Sequence, residues 1–195
     1  MKMKRVFCII LAVFVLCALA ACGKSPGSGE KDPGLSSLSG GPAEILEKIV
    51  EDTKVAVEAA GGFMYMSMTS DVTAEISQNT VGLSEADFEQ YVLAASSSMA
   101  AIGSQAHQII LIQTKDAGSA VEVKKLVAGR VSGKNGYDPQ KWICVWPEQA
   151  IAVESGNYVL IAASRKDVVE ATLLAFAAEA INYGEVDVFY EHIEE

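Results

Sequence analysis

The sequence predicts an α+β domain in which an antiparallel sheet carries helices packed mainly on one face. Two runs with the composition of strands, 150–154 and 158–163, flank the turn-forming trio Ser155-Gly156-Asn157, which indicates a hairpin. Helical patterns alternate with such strands in the order helix, strand, strand, helix, strand, strand, helix. Hairpins with interleaved helices are typical of a layer of helices on one sheet.

The first helix is predicted over 43–59. Apolar residues recur there at helical spacing, acidic residues occupy the other side, and Gly61 and Gly62 end the pattern. The next segment, 63–82, is polar except for one apolar cluster at 63–68. The sequence of this segment is compatible with either a strand or a loop.

Two strands are predicted next, over 91–99 and 107–115. They follow Ser84-Glu85-Ala86-Asp87, which has the Ser-x-x-acid form of a capping box and indicates a short turn of helix. The run 109–112 is apolar on both faces, which is typical of a central strand.

A further helix is predicted over 120–131, because Ala120, Val123, Val127 and Val131 share one face. Lys124 is expected to lie away from that face.

After this helix, Asp138-Pro139 favours a short helix over 139–146, but the alternation in 142–146 fits a strand equally well. Asp167 opens the last helix, which ends at Gly184. The acidic segment 185–195 is an edge strand or a frayed tail, and its terminal position favours the tail.

The N-terminus has the features of a bacterial lipoprotein signal, predicted over residues 1–21. Basic residues precede an apolar run of 16 residues, 6–21, which is shorter than the roughly 20 that span a bilayer. The run ends in Leu19-Ala20-Ala21-Cys22, which resembles a lipobox. We expect Cys22 to carry acyl chains that anchor the protein to the membrane.

Residues 22–42 are predicted to form a linker. Of the 20 residues from 23 to 42, 14 are Gly, Ser or Pro, a composition typical of a flexible tether. The rest of the chain, 43–195, is expected to form a single domain.

Cysteine usage indicates that this domain depends on its hydrophobic core. Cleavage before Cys22 removes Cys8 and Cys17 and leaves Cys144 as the one free thiol, so no intramolecular disulfide can form. Cys144 is expected to be buried and inert.

The charge of the chain argues against nucleic acid as a partner. The net charge is −10, and removal of residues 1–21 changes it to −13. Such a surface repels phosphate backbones.

Several segments together resemble one bacterial lipoprotein family. They are Tyr91-Val92 leading to Ala106-His107-Gln108-Ile109, then a helix, then Tyr137-Asp138-Pro139, and finally Gly156-Asn157-Tyr158-Val159. Their order and spacing, with the lipobox, resemble the lipoproteins that carry "domain of unknown function 4358", common in Gram-positive gut bacteria. The resemblance covers most of the domain. It implies no catalytic residues, because the family has no assigned activity.

The sequence offers few candidates for catalysis or metal binding. A Ser-His-Asp hydrolase needs a positioned base, but only His107 and His192 are available, and neither lies near a G-x-S-x-G turn. Zinc and EF-hand calcium motifs are missing, so we expect no metal and no cofactor. Met64, Met66 and Met68 alternate and would suit Cu(I) on an exposed strand. Since no His or Cys lies nearby, gap-filling in the core is favoured.

Aromatic residues give the candidate ligand-binding site. Tyr137, Trp142 and Trp146 surround the Asn-Gly turn, and on a helix the two tryptophans would share a face on which a glycan or peptide could stack. The alternative, which is favoured, is that they fill the core beneath the turn.

These features together predict a lipid-anchored protein on the extracytoplasmic face of the cell membrane. We expect a non-enzymatic binding or accessory domain, with an envelope protein or a glycan as a possible partner. The alternative is a small extracytoplasmic hydrolase that uses carboxylates for acid–base chemistry.

Overall fold

The computed structural model describes residues 41–102, 105–131, 147–179 and 184–191. These residues form five helices and six strands. The helices are α1 (Pro42–Ala59), α2 (Ala74–Thr80), α3 (Glu85–Tyr91), α4 (Ala117–Val131) and α5 (Lys166–Glu179). The strands are β1 (Ser67–Asp71), β2 (Val92–Ala100), β3 (Gln108–Thr114), β4 (Gln149–Ser155), β5 (Tyr158–Ser164) and β6 (Asp187–Glu191).

The six strands form one sheet in the order β1-β2-β3-β5-β4-β6, and every neighbouring pair is antiparallel. The predicted α+β class and antiparallel sheet are therefore confirmed. Strand β5 lies between β3 and β4, so the chain crosses over β5 as it passes through α4. The sheet's two edges are β1 and β6.

The helices pack on both faces of this sheet, and the prediction that they lie mainly on one face is wrong. Ile110 and Ile112 of β3 join a core cluster with residues of α3 and α4. Ile109 and Leu111, which alternate with them, join a second cluster with α1 and α5. Successive strand residues point to opposite faces. We call these the α4 face and the α1 face.

Helix α1 begins and ends as the sequence predicts. Pro42 occupies the first turn, and Ile45, Leu46 and Ile49 are buried against the sheet. At the other end, Gly61 has a φ of 84°, which L side chains rarely adopt. A Cβ on the next residue, Gly62, would lie only 2.9 Å from Val57 Cγ1, which is too close for two carbon atoms in contact. Glycine at these two positions therefore lets the chain turn sharply at the end of the helix.

The segment 63–82 contains both a strand, β1, and a helix, α2, which was not among the alternatives considered. Helix α2 has seven residues, and the buried hydroxyl of Ser77 lies 2.7 Å from the carbonyl oxygen of Ala74 and 2.9 Å from that of Leu83, so that its one proton can be donated to either. So short a helix shows almost no periodicity in sequence, because it completes only two turns. The capping box before α3 is confirmed, since Ser84 Oγ accepts from Asp87 N at 3.1 Å.

Small polar residues in β2 allow α1 to pack over the sheet. Ser96 and Ser98 are buried on the α1 face, and Ser97 is buried on the opposite face. Ser96 donates to Asp71 Oδ1 (3.0 Å) and Ser98 to Ser67 Oγ (2.9 Å), and both acceptors belong to β1. These hydrogen bonds satisfy hydroxyls that would be costly to bury unpaired.

The predicted hairpin is confirmed as β4 and β5, joined by Gly156 and Asn157. Gly156 has a φ of 57°, which favours glycine. The predicted frayed tail, in contrast, is partly wrong: β6 pairs with β4, so the sequence 187–191 forms an edge strand. The segment 139–146, with its open choice of helix or strand, lies outside the described residues.

Among the described residues, no helix is both long and apolar enough to cross a bilayer.

Candidate functional site

A groove lies between helix α1 and the segment that enters the edge strand β1. It has a volume of about 360 Å³. Its lining comes from α1 and from the start of β1: Val50, Glu51, Lys54, Met64, Tyr65, Met66 and Ser67. A carboxylate, an ammonium group, a tyrosine ring, thioethers and the side chain of Val50 thus line the groove, a mixture that suits noncovalent binding of a ligand with polar and apolar parts.

Arg165, which directly precedes α5, holds the groove-lining segment in place. Its Nη2 donates to the carbonyl of Phe63 at 2.6 Å, and its guanidinium lies 4.2 Å from the Phe63 ring centroid and 5.5 Å from that of Tyr65. Asp167 accepts from Arg165 Nε (3.0 Å) and Nη2 (2.8 Å). These hydrogen bonds lower the pKa of Asp167 and raise that of Arg165. The guanidinium of Arg165 therefore holds Phe63 and Tyr65 in place through cation–π contacts.

His107 is the buried neighbour of Tyr65. Its ring centroid is 6.1 Å from that of Tyr65, and its Nδ1 is 3.1 Å from Ser164 Oγ. Burial, with the nearby charge of Arg165, lowers the pKa of His107 to about 4, so the imidazole is neutral near pH 7. Both His107 and Ser164 are buried, with relative exposures of 1% and 0%. A substrate cannot reach the hydroxyl in this arrangement, and the pair supports the end of the sheet.

The three alternating methionines do not share one environment. Met64 is partly buried and packs against the core of the α1 face. Met66 and Met68 are exposed, at 80% and 66% of their surface. The favoured interpretation, in which methionines fill core gaps, is therefore wrong for these two. The reason is that β1 is an edge strand: Met68 lies opposite Met99, at the rim of the α4 face.

A second polar cluster, which the sequence did not reveal, surrounds Lys124 of α4. Its Nζ lies 2.5 Å from Glu154 Oε2 and 3.4 Å from Asp187 Oδ2, and it donates to the carbonyl of Glu185 at 2.9 Å. Burial lowers the pKa of Lys124, but the two carboxylates outweigh that effect and raise it. Lys124 is buried among these polar groups, and the prediction that it lies off the apolar face of the helix gave no sign of this burial.

This cluster anchors the C-terminal strand. Glu185 and Asp187 belong to the segment that forms β6, and Gly184 N donates to the carbonyl of Glu154 at 2.9 Å. Lys124 neutralises carboxylates that would otherwise repel each other where β6 meets β4. A lysine inside a run of helix-surface charges gives no sequence signal for this role.

The other predicted site residues lie outside the described residues. They are the lipidation site Cys22, the candidate ligand-binding residues Tyr137, Trp142 and Trp146, and the thiol of Cys144. Among the described residues, no group of three or more His, Cys, Asp or Glu side chains is arranged to hold a metal ion.

Comparison with known proteins adds no relative to this picture. No protein-family model, no curated protein and no solved structure matches this chain. The resemblance to the lipoproteins with domain of unknown function 4358 therefore stays a prediction from the sequence, and the candidate site rests on its own geometry.

Proposed function

We propose that this protein is a lipid-anchored lipoprotein on the extracytoplasmic face of the membrane, and that its α+β domain binds a partner there without catalysing a reaction. The observation that carries the binding role is the groove beside β1, together with the exposed methionines of that edge. Neighbouring apolar side chains left in contact with water at the edge of a sheet are a common mark of an interaction site.

The construction of the site supports binding. Arg165, Asp167 and buried His107 hold Tyr65 and the chain around it, so the groove is formed before any ligand arrives. A preformed site loses less conformational entropy on binding than one that must be ordered by its ligand. The exposed thioethers of Met66 and Met68 add adaptable contact surface.

The anchor is supported by the N-terminal sequence. Leu19-Ala20-Ala21-Cys22 follows a basic start and an apolar run too short to span a bilayer, and a Gly/Ser/Pro-rich linker comes next. Two acyl chains on Cys22 would supply the hydrophobic contact with the membrane, at about 0.8 kcal/mol for each buried methylene.

Replacement of Cys22 tests the anchor. We expect Cys22→Ala to lose incorporation of an alkyne-labelled fatty acid and to leave the membrane fraction after a high-pH wash. Cys144→Ala, which removes the other cysteine expected in the mature chain, should keep both properties. Retention of the label by Cys22→Ala would show that the lipobox interpretation is wrong.

Site-specific crosslinking tests the binding role. A photoreactive residue placed at Met66 or Met68 should yield a discrete crosslinked species in intact cells. The same residue at Leu174, which is 71% exposed on α5 and away from the groove, is the matched control. Equal crosslinking at all three positions, or at none, would contradict a binding site at this edge.

A further inference from the structure

We propose that β1 binds an extended segment of a partner protein as an additional strand, and that this segment alternates apolar and basic side chains. The inference rests on the proposed binding function and names the chemistry of the partner. Three features of the described residues carry it: the free backbone of β1, the two different faces of that strand, and the charge beside the groove.

The backbone of β1 leaves hydrogen-bonding groups on its outer side. Ala101 N donates to Met66 O and Val72 N donates to Ala95 O, both at 2.8 Å, so the residues at 66, 68, 70 and 72 direct their backbone groups toward β2. In an antiparallel pair the intervening residues point the other way. The N–H and C=O groups of Ser67, Thr69 and Asp71 therefore face outward, and no described strand pairs with that side.

The edge lacks several of the devices that commonly protect a sheet from additional strands, although the strand is short and ends in the charged Asp71. Such devices include lysine, proline and β-bulges. The sequence of β1 is Ser-Met-Thr-Ser-Asp, and its register with β2 is unbroken over all five residues. An incoming strand would meet a regular ladder.

The two faces of β1 select different side chains. Met68 lies opposite Met99 on the α4 face, and both thioethers are at least partly exposed. Thr69 and Asp71 lie opposite Ser98 and Ser96 on the α1 face. Since successive residues of an added strand alternate between these faces, one set would contact methionine and the other would face α1 and the groove.

Charge on the α1 face favours basic side chains. Glu51 and Lys54 line the groove, Asp71 ends β1, and Glu47 lies one turn before Glu51 on the exposed surface of α1. Among these groups three carboxylates face one ammonium group, and the nearby guanidinium of Arg165 is neutralised by its ion pair with Asp167. A second copy of this chain would bring the same acidic helix and a net charge of −10 to the interface, so a basic strand of another protein is the better complement.

Binding of a defined peptide to the full-length protein in detergent tests the inference. The probe is a short peptide in which valine alternates with lysine, and the comparison peptide has glutamate in place of lysine. We expect the lysine peptide to shift the amide NMR signals of Ser67, Thr69 and Asp71, and the glutamate peptide to bind at least about tenfold more weakly.

Two variants separate strand addition from other modes of binding. Thr69→Pro removes an outward N–H and leaves the ladder with β2 intact, whereas Thr69→Val keeps that N–H. We expect Thr69→Pro to weaken binding about tenfold and Thr69→Val to bind as the wild type does. Glu51→Lys, on the surface of α1, should reduce the preference for the lysine peptide without touching β1. Unchanged melting temperatures establish that the variants are folded.

Three results would overturn the inference. The first is equal binding of the peptide by Thr69→Pro and Thr69→Val. The second is a preference for the glutamate peptide. The third is self-association that Thr69→Pro abolishes, which would identify a second copy as the occupant. Specific crosslinks at Met66 and Met68 alongside any of these results would leave the proposed binding function standing.

Discussion

The His107 imidazole combines burial with a direct contact to Ser164 and a neighbouring cation, Arg165. A neutral ring fits this environment, because a second positive charge beside the guanidinium would be unsolvated and repelled. The contacts of His107 with Tyr65 and Ser164 link the start of β3 to the end of β5 and to the groove-lining segment.

The stability of the domain should therefore decrease between pH 7 and pH 5. The pKa of His107 is lowered from 6.5 to about 4, so the unfolded chain takes up this proton before the folded chain does. The stability that neutral His107 contributes to the folded state is complete above pH 6.5, and it is lost as the pH falls toward 4. We expect a loss of about 2 kcal/mol in the free energy of unfolding between pH 7 and pH 5, measured by urea denaturation.

His107→Gln provides the control, because glutamine does not titrate in this range. The quantity to compare is the difference between the free energies of unfolding of the variant at pH 7 and at pH 5, and not its stability at pH 7 alone. That difference should be smaller than in the wild type by about 2 kcal/mol. The same pH dependence in both proteins would assign it to other groups.

Among the elements, β6 is held by its ladder with β4 and, through side chains, by the buried cation of Lys124. Lys124→Met leaves Glu154 and Asp187 without their partner, and unpaired carboxylates at a partly buried site are destabilising. We expect a loss of about 2 to 3 kcal/mol in the free energy of unfolding. Faster hydrogen exchange should appear first in the amides of 187–191.

Lys125→Met is the matched control for this prediction. Lys125 is the next residue, is 63% exposed and pairs with Glu122 on the helix surface. Removal of such a pair should change stability by less than about 0.5 kcal/mol. A similar loss in both variants would mean that charge on α4, rather than the anchoring of β6, is responsible.

Helix α1 shows how one element serves both the core and the site. Ile45, Leu46 and Ile49 fill the α1 face, Thr53 reaches Thr172 of α5 at 3.4 Å, and Lys48 pairs with Glu179 of α5 at 3.0 Å. The adjacent side of the helix presents Glu51 and Lys54 to the groove. Because its buried side is fixed between the sheet and α5, its other side is a rigid wall for a ligand.

At the scale of the whole molecule, we expect 43–195 to fold without metal or disulfide. Two core clusters, one on each face of the sheet, bury large aliphatic side chains at exposures near zero. Limited proteolysis should cut first near Lys24 or Lys31, in the Gly/Ser/Pro-rich stretch 23–42, and leave a resistant fragment that begins near Ala43.

A chelator and a reductant should each leave the melting temperature of that fragment unchanged. A decrease of many degrees with either reagent would reveal a metal or a disulfide that contributes to folding. Early cuts within α1, with the linker protected, would place the domain boundary elsewhere.

The elements with local signals were predicted correctly from the sequence. Helical spacing located α1 and α5, the Ser84 capping box located the start of α3, and Ser155-Gly156-Asn157 located the hairpin. Each signal arises from residues that are close together in the chain, so it can be recognised without knowing which distant segments pack against the element. The site was visible only in part: Met66 and His107 stood out, whereas Tyr65 and Arg165 did not.

Which distant residues lie together could not be predicted from the sequence. Ile109, Ile110, Leu111 and Ile112 already indicated a strand buried on both faces, yet the helices that cover each face are set by packing between distant segments. The same holds for β5 between β3 and β4, for Lys124 beneath β6, and for β1 as an exposed edge. Such arrangements depend on burial and charge summed over the whole molecule, because no short stretch of sequence contains both partners of a long-range contact.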